Sequence, residues 1–496
     1  MPTLLRPMSP SEQSVPYDVL QEIFIHCIPE RPFEDFSWTE IPVVLCHVSS
    51  FWRYVALTTP KLWSHLTYCL AREPSPLADI ADGEQQRFVF RKNQIEYLKW
   101  WNKNRGSLRP FLEFYVIDIE NESYEGLRDA SLWVDEDSVD VLTVMKYVAS
   151  AQFLQVNLGF WEFIYRKTAI GYQVFFPNLR SLVHDHISEY PFISDEFFVG
   201  SVATRNIIIP SLRRLSLQDN NGDDDEGIEI ELTASLTFPS HWSTLTEVSF
   251  YGIDLSLGFW FRFMRSLPYL QWFSLYTGIC DTSDYTVPME YTHSHLTTLT
   301  ISIFHFSSSP SVLFSHLHLP ALQDLTLAFL CTPWKDDGIT ELCTILQSTP
   351  NISTLGLTTK FIDLHDPEYT EYEPVPGNVA GSEPIWRYCA PKLVHLRLEI
   401  DAVEGTMTAE HDFDVFINNL TTDNMWLRLE DRACPIRKVT FIDGASELIK
   451  APGLAACRVH QVFRDLPHIE WQITPRPWRH AAFRIANEWS QKMFIL

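Results

Sequence analysis

One short pattern recurs along most of this chain and restricts its fold more than any other feature. It consists of an apolar residue, two others, a second apolar residue, one other, and a third apolar residue. It reads FLQVNL (153–158), LRSLVH (179–184, with His184 in the third slot), LRRLSL (212–217), LTEVSF (245–250), LQWFSL (270–275), LTTLTI (296–301), LQDLTL (322–327), ISTLGL (352–357), LVHLRL (393–398) and IRKVTF (436–441). Successive copies start 25 to 43 residues apart, and a proline usually stands two positions before the first apolar residue, at Pro177, Pro210, Pro268, Pro320, Pro350 and Pro391. Side chains alternate along a strand, so the later two apolar residues of each copy face one way. A single copy cannot bury that face alone, and stacking against its neighbours is the solution available to it.

The period resembles that of leucine-rich repeats, about 20–29 residues, with insertions. The implied fold is α/β: an irregular leucine-rich-repeat solenoid with a curved parallel sheet. Apolar stretches between strands, at 259–267, 340–348 and 413–420, are expected to form its helical layer. The segment 363–384 reads as an inserted loop, and 478–494 as an amphipathic helix capping the array. Residues between the inward leucines belong to the opposite, concave face, and equivalent positions should align in rows. One expected row runs Glu247, Trp272, Thr298, Asp324, Thr354 and His395, and a second runs Tyr251, Tyr276, Ser302, Ala328, Thr358 and Glu399. Most of these are small or polar. Tyr251, Trp272 and Tyr276 stand out as candidate substrate-binding residues, since exposed aromatics ringed by small polar residues mark interaction hot spots.

The chain of 496 residues has 46% hydrophobic and 20% charged residues, which suits a folded protein rather than a disordered one. A net charge of −25 argues against a nucleic-acid surface and favours a basic segment in any protein substrate. No apolar run reaches the length of a membrane span, and the first sixteen residues carry no apolar signal core, so a cytoplasmic or nuclear location is expected. Nine scattered cysteines without CxxC pairs fit reduced thiols.

The N-terminal region has a different period. Val19, Leu20, Ile23, Phe24 and Cys27 form one helical stripe after Pro16, and Leu45, Val48, Trp52 and Val55 form a second stripe in a periodic segment over 43–57. Thr58, Thr59 and Pro60 end that segment before Leu62 and Trp63. On these residues alone, a helical cap on the repeats is an open reading.

Three ordered motifs within this region, Val15-Pro16-Tyr17-Asp18-Val19-Leu20 with Ile23-Phe24, then Leu45 through Arg53, then Pro60-Lys61-Leu62-Trp63, resemble an F-box of the form common in fungal proteins. Val15 replaces the usual leucine, and Ser49 and Ser50 replace the more usual Cys or Arg before the aromatic-Trp-Arg core. The resemblance implies all-α F-box helices docking on a Skp-family adaptor, and through it a cullin-RING ligase, as the substrate-recognition subunit of an SCF-type ubiquitin ligase. It also implies that Pro16, Leu20, Ile23, Phe24, Leu45, Val48, Trp52, Leu62 and Trp63 make the adaptor contact. A non-degradative F-box scaffold, or a repeat interaction protein with a helical cap, is the alternative. The expected organisation is a tail (1–14), the F-box (15–68), a linker and entry helix (69–105), and the substrate-binding repeats with their cap (106–496).

Signals for chemistry are weak. No phosphate-binding glycine loop and no GxSxG are present. Three His-x-His pairs (His184/His186, His293/His295, His316/His318) lack a third ligand. The acidic run at 219–227 fails the calcium-loop pattern, with Asp224 where glycine is needed and Ile230 where glutamate is needed. The expectation is a non-enzyme with no cofactor and no metal.

Overall fold

The computed structural model describes residues 15–27, 41–71, 96–117, 139–156, 174–184, 207–218, 243–252, 255–280, 290–306, 310–329, 338–358, 389–400, 434–443, 464, 466 and 468–475. The expected tail, the acidic run at 219–227, the insertion at 363–384, His186, the helical stretch at 413–420 and the C-terminal segment at 478–494 lie outside these residues. The described residues divide into two compact units at Leu215/Ser216.

The first unit opens with three short helices, α1 (Tyr17–His26), α2 (Ile41–Val48) and α3 (Ser50–Leu57), and a 3-10 turn at Pro60–Trp63. Pro16 starts α1 from an extended conformation, and its carbonyl accepts the first helical bond from Leu20 N at 3.0 Å. The periodic segment expected over 43–57 is two helices, not one. Ser49 is extended (φ −154°, ψ 168°) and its Oγ accepts from Trp52 N at 3.1 Å, capping α3. Arg53 Nε–H donates to the Cys46 carbonyl at 2.7 Å, which satisfies a carbonyl that the break leaves open at the end of α2. Inside the cluster Leu20, Phe24, Leu45, Val55, Ala56, Leu62 and Trp63 are buried.

Trp63 ties this cluster to the first strands of the sheet. Its Nε1–H donates to Ala56 O at 2.8 Å, and its ring packs edge-on against Trp100 (4.6 Å) and Trp101 (5.0 Å) of helix α4, residues 96–105. Strand β1 (His65–Ala71) begins two residues later and pairs in parallel with β2 (Phe111–Ile117), where Leu66 aligns with Leu112. Residues 65–71 are therefore sheet, across the expected boundary between F-box and linker. Trp63 stands three residues before Leu66, as the first apolar residue of a repeat does, so the turn that closes the helices also opens the first repeat.

The first unit continues through α5 (Val139–Val148), β3 (Phe153–Val156), β4 (Val174–Phe175), β5 (Ser181–His184), β6 (Ile207–Ile208) and the start of β7 (Arg214–Gln218). Its main sheet runs in the order β1-β2-β3-β5-β7, while β4 and β6 form a separate parallel pair. The repeat expected at 153–158 is shifted by two residues. Leu154 aligns with both Leu112 and Leu182, so the apolar slots are Ala151, Leu154 and Val156, all buried. The apolar character of Phe153 hid this phase, because Phe153 lies on the opposite face and stacks on Phe111 at 3.6 Å.

The second unit holds β8 (Glu247–Tyr251), β9 (Leu255–Ser256), α6 (Leu257–Ser266), β10 (Trp272–Cys280), β11 (Tyr291–Thr292), β12 (Thr298–Phe306), β13 (Leu317–His318), β14 (Asp324–Phe329), α7 (Gly338–Gln347), β15 (Thr354–Thr358), β16 (His395–Ile400), β17 (Lys438–Asp443) and β18 (Glu470–Pro475). Its strands β8-β10-β12-β14-β15-β16-β17-β18 are parallel neighbours. Strand β18 extends the series beyond the last motif recognised in the sequence. Val248, Phe273, Leu299, Leu325, Leu355, Leu396 and Val439 form one aligned row, each fully buried. These stacked strands, joined by helical or irregular connections, are of leucine-rich-repeat type.

Helix α6 covers the apolar face at β8 and β10. Phe263 lies 5.0 Å from Phe250 and 5.2 Å from Phe273, and Trp260 lies 5.6 Å from Phe273 while its Nε1–H donates to Leu313 O at 3.1 Å. Ser256 caps this helix by accepting from Phe259 N at 3.1 Å.

The Trp63→Ala variant should lose about 3–5 kcal/mol, the range for removing a fully buried large aromatic. Denaturant unfolding followed by tryptophan fluorescence checks this, and unchanged stability would show that Trp63 does not join the helices to the sheet.

Candidate functional site

Two surfaces collect the residues singled out in the sequence. The first lies on the N-terminal helices, where the structure divides the nine expected adaptor residues. Leu20, Phe24, Leu45, Leu62 and Trp63 point inward and are at most 6% exposed. Pro16, Ile23 and Val48 are on the surface, and Trp52 is half-buried against Phe24 at 5.0 Å. Val48 shares α2 with Leu45, yet α2 buries Val43, Leu45 and Cys46 and leaves Val44 and Val48 outside, and the break at Ser49 puts Val55 on a different helix.

Four further apolar residues are exposed here that sequence periodicity did not single out for contact: Tyr17, Val19, Val44 and Tyr54. Val19 and Ile23 are an i,i+4 pair on α1, and Val44 and Val48 are an i,i+4 pair on α2, with exposures of 43–55%. The Tyr17 and Tyr54 rings lie 6.1 Å apart, and Tyr17 Oη shares a 2.9 Å hydrogen bond with Thr58 Oγ1. An apolar i,i+4 pair left in water beside a filled core is the signal that could have identified them.

The second surface is the face of the sheet opposite the leucine rows. Strand register aligns Glu247, Trp272, Thr298, Asp324, Thr354 and His395, and continues to Lys438 and Glu470. Between this row and the next run Ser249, Ser274, Thr300, Thr326, Gly356, Arg397, Thr440 and Gln472. Tyr251 and Tyr276 also align, and their rings stack 4.5 Å apart at 11°. Tyr251, Trp272 and Tyr276 are half-buried, while Ser249 and Ser274 beside them are almost fully buried.

The β14–β18 end is polar and tied to itself. Arg397 on β16 reaches across β15 to hydrogen-bond Asp324 and, at 2.8 Å, Thr326 Oγ1 on β14. The residue beneath this crossing is Gly356, aligned with both Thr326 and Arg397. A Cβ there would lie 2.7 Å from Thr326 Oγ1 and 2.9 Å from its Cγ2. Farther along, Thr440 Oγ1 accepts from Gln472 Nε2 at 3.0 Å and shares a 2.8 Å bond with His395 Nε2. Burial, then repulsion from Arg397 and Lys438, lowers the His395 pKa to about 4 against an opposing pull from Glu470.

Of the His-x-His candidates, His293 has a structural role. His293 is buried, with Nε2 bonded to Leu267 O at 2.9 Å and Nδ1 accepting from Leu296 N at 3.2 Å, while His295 is exposed. The two therefore do not share a face, and both ring nitrogens of His293 are engaged. Among the described residues no three His, Cys, Asp or Glu side chains gather as a metal site, and no helix is long and apolar enough to cross a membrane. Cys27, Cys46, Cys343, Cys389 and Cys434 are free thiols. Burial and the neighbouring Cys389 push Cys343 up to about 12, the direction of an unreactive thiol.

No protein-family model matches the chain, and no curated protein matches it. Among the solved structures that align with it are three of low identity. A Bacteroides fragilis protein is 13% identical over 65% of this chain and 74% of its own, with a TM-score of 0.31. The leucine-rich repeat-containing protein LegL7 from Legionella pneumophila is 14% identical over 62% and 89%, with a TM-score of 0.30. An internalin (inlF) from Listeria monocytogenes is 13% identical over 74% and 89%, with a TM-score of 0.27.

The polar end of the face yields two expected outcomes. Gly356→Ala should destabilise the protein by about 1–3 kcal/mol through overpacking against Thr326, measured by denaturant unfolding; a neutral result would mean that Thr326 swings aside without loss. The unfolded chain protonates His395 near its ordinary value of 6.5, whereas the folded chain does so only near 4. The contribution of His395 to stability is therefore complete above pH 6.5 and declines as pH falls toward 4. Melting temperatures across that window should fall less steeply for His395→Gln, and an identical slope would show that the histidine is solvated in the folded protein.

Proposed function

We propose that residues 15–63 dock on a Skp-family adaptor and that the face of the sheet opposite the leucine rows holds a protein substrate. The chain is then the substrate-recognition subunit of an SCF-type ubiquitin ligase, linked through the adaptor to a cullin-RING assembly. It supplies binding geometry and no catalytic group.

The observation that carries this reading is the exposed apolar set on helices whose interior is already full. Leu20, Phe24, Leu45, Val55 and Trp63 satisfy the cluster from within. Val19, Ile23, Val44 and Val48 are left in water in i,i+4 pairs, and paired apolar residues of this kind are the anchors by which helices enter a partner's groove. The resemblance of residues 15–63 to an F-box supplies the partner. The substrate reading draws support from the alignment of Trp272, Tyr251 and Tyr276 on one face, where half-exposed rings stand among small polar residues.

One observation favours the alternative of a helical cap on an interaction repeat. Trp63 packs the helices directly against α4 and leads into β1 without a linker, as a terminal capping element would. The two readings diverge at the surface. An Ile23→Asp/Val48→Asp variant should no longer co-purify with a Skp-family adaptor while keeping the parent's melting temperature, because neither side chain is in the core. A cap predicts no adaptor in the parent purification at all, and adaptor retained at parental levels by the double variant would overturn the docking surface. Leu20→Ala, by contrast, should cost about 2–5 kcal/mol of stability.

A further inference from the structure

We infer that Cys343 and Cys389 join in a disulfide under sustained oxidation and so lock two neighbouring repeats of the second unit together. Cys343 is half-buried on α7, beside the helix face that Leu342, Ile345 and Leu346 bury. Cys389 lies in the turn before β16 and is buried, next to the fully buried Ala390. All of β15 separates the two in sequence. Their side chains nonetheless hydrogen-bond to each other, and both are free thiols.

The place of the pair in the array gives the bond its effect. Helix α7 leads into β15, and the turn at Cys389 leads into β16. The two strands are parallel neighbours, with Leu355 beside Leu396. A bond between the sulfurs therefore ties the connection in front of one strand to the connection in front of the next. Each unit of a repeat array is held by contacts with its neighbours, and here one such contact becomes covalent. Closing the chain from 343 to 389 also removes conformations from the unfolded state, on the loop-entropy account of disulfide stabilisation.

The half-buried Cys343 meets an oxidant before the buried Cys389 does. With hydrogen peroxide as the oxidant, Cys343 Sγ attacks one peroxide oxygen and the O–O bond breaks. The thiol proton leaves in a molecule of water, and Cys343 becomes a sulfenic acid. Cys389 Sγ then displaces hydroxide from that sulfur to form the S–S bond, and its proton completes the second water. Two electrons pass from the two thiols to one peroxide, and a dithiol reductant reverses the bond. Burial, then the Cys389 hydrogen bond, push the Cys343 thiol up to about 12, which leaves little thiolate at neutral pH. The first step is accordingly slow, and a brief pulse of oxidant leaves the pair reduced.

The test holds the full chain in hydrogen peroxide, quenches with N-ethylmaleimide and maps peptides by mass spectrometry without reductant. The map should contain a linked Cys343–Cys389 pair, two hydrogens lighter than the free peptides together, absent before peroxide and lost on dithiothreitol. The cross-linked protein should melt about 5 °C above the reduced one, and reduction should remove the gain. Cys389→Ser lacks the second thiol, so the same treatment should carry its Cys343 on to sulfinic acid. In the parent, Cys343 recovered as the maleimide adduct or as sulfinic acid would overturn the pairing, as would a disulfide from either residue to a different cysteine. A cross-link that leaves the melting temperature unchanged would overturn the locking of the repeats. Both cysteines belong to the second unit, so these outcomes are distinct from adaptor docking by residues 15–63.

Discussion

Parallel register is the constraint on which the second unit depends. Phe250, Leu275, Ile301, Leu327, Leu357, Leu398 and Phe441 form one buried row, and the row beginning at Val248 forms another. Full burial of such side chains contributes roughly 1.5–3 kcal/mol each, so a row holds only when each strand meets its neighbour in phase. A slip of one residue would put every leucine on the wrong face. The same register that buries the leucines therefore aligns Trp272 beside Glu247 and Tyr251 beside Tyr276. The packing that stabilises the sheet and the rows on its opposite face are two sides of one alternation.

Trp63 plays the corresponding part in the first unit. It closes the helical cluster through Ala56, packs on Trp100 and Trp101, and opens the first repeat three residues before Leu66. A cluster of about fifty residues gains from such an anchor, because a core that small supplies little stability by itself. With its interior filled, the cluster can leave Val19, Ile23, Val44 and Val48 in water. An internal aromatic anchor is thus kept apart from an external aliphatic set.

The outer face of the sheet divides by chemistry. Near β8 and β10 it is aromatic, and near β14 to β18 it is a set of mutual hydrogen bonds in which Gly356 lets Arg397 cross to Asp324. At the polar end Arg397 and Asp324 meet each other's charge. The aromatic end keeps a buried hydroxyl without a partner among the described residues and flat rings at half exposure.

Much of this architecture was legible in the residues alone, because local physics determines it. The LxxLxL recurrence specified parallel strands, their inward leucines and the rows on the opposite face, since alternation along a strand needs no knowledge of distant contacts. The N-terminal stripes specified helices for the same reason. Contacts between residues far apart in the chain decided the rest. The repeat at β3 took the phase of Ala151, Leu154 and Val156, not that of Phe153, because alignment with Leu112 and Leu182 outweighed a local pattern in which Phe153 also reads as apolar. The segment over 43–57 broke at Ser49, where a capping hydroxyl competes with the helix, and the face that α2 turned inward buried Leu45 and left Val48 outside. Whether Leu20 or Ile23 meets a partner, and whether Arg397 is free or committed, depended on which elements pack beside them. Periodicity tells which side chains share a face; only the tertiary structure tells what that face touches.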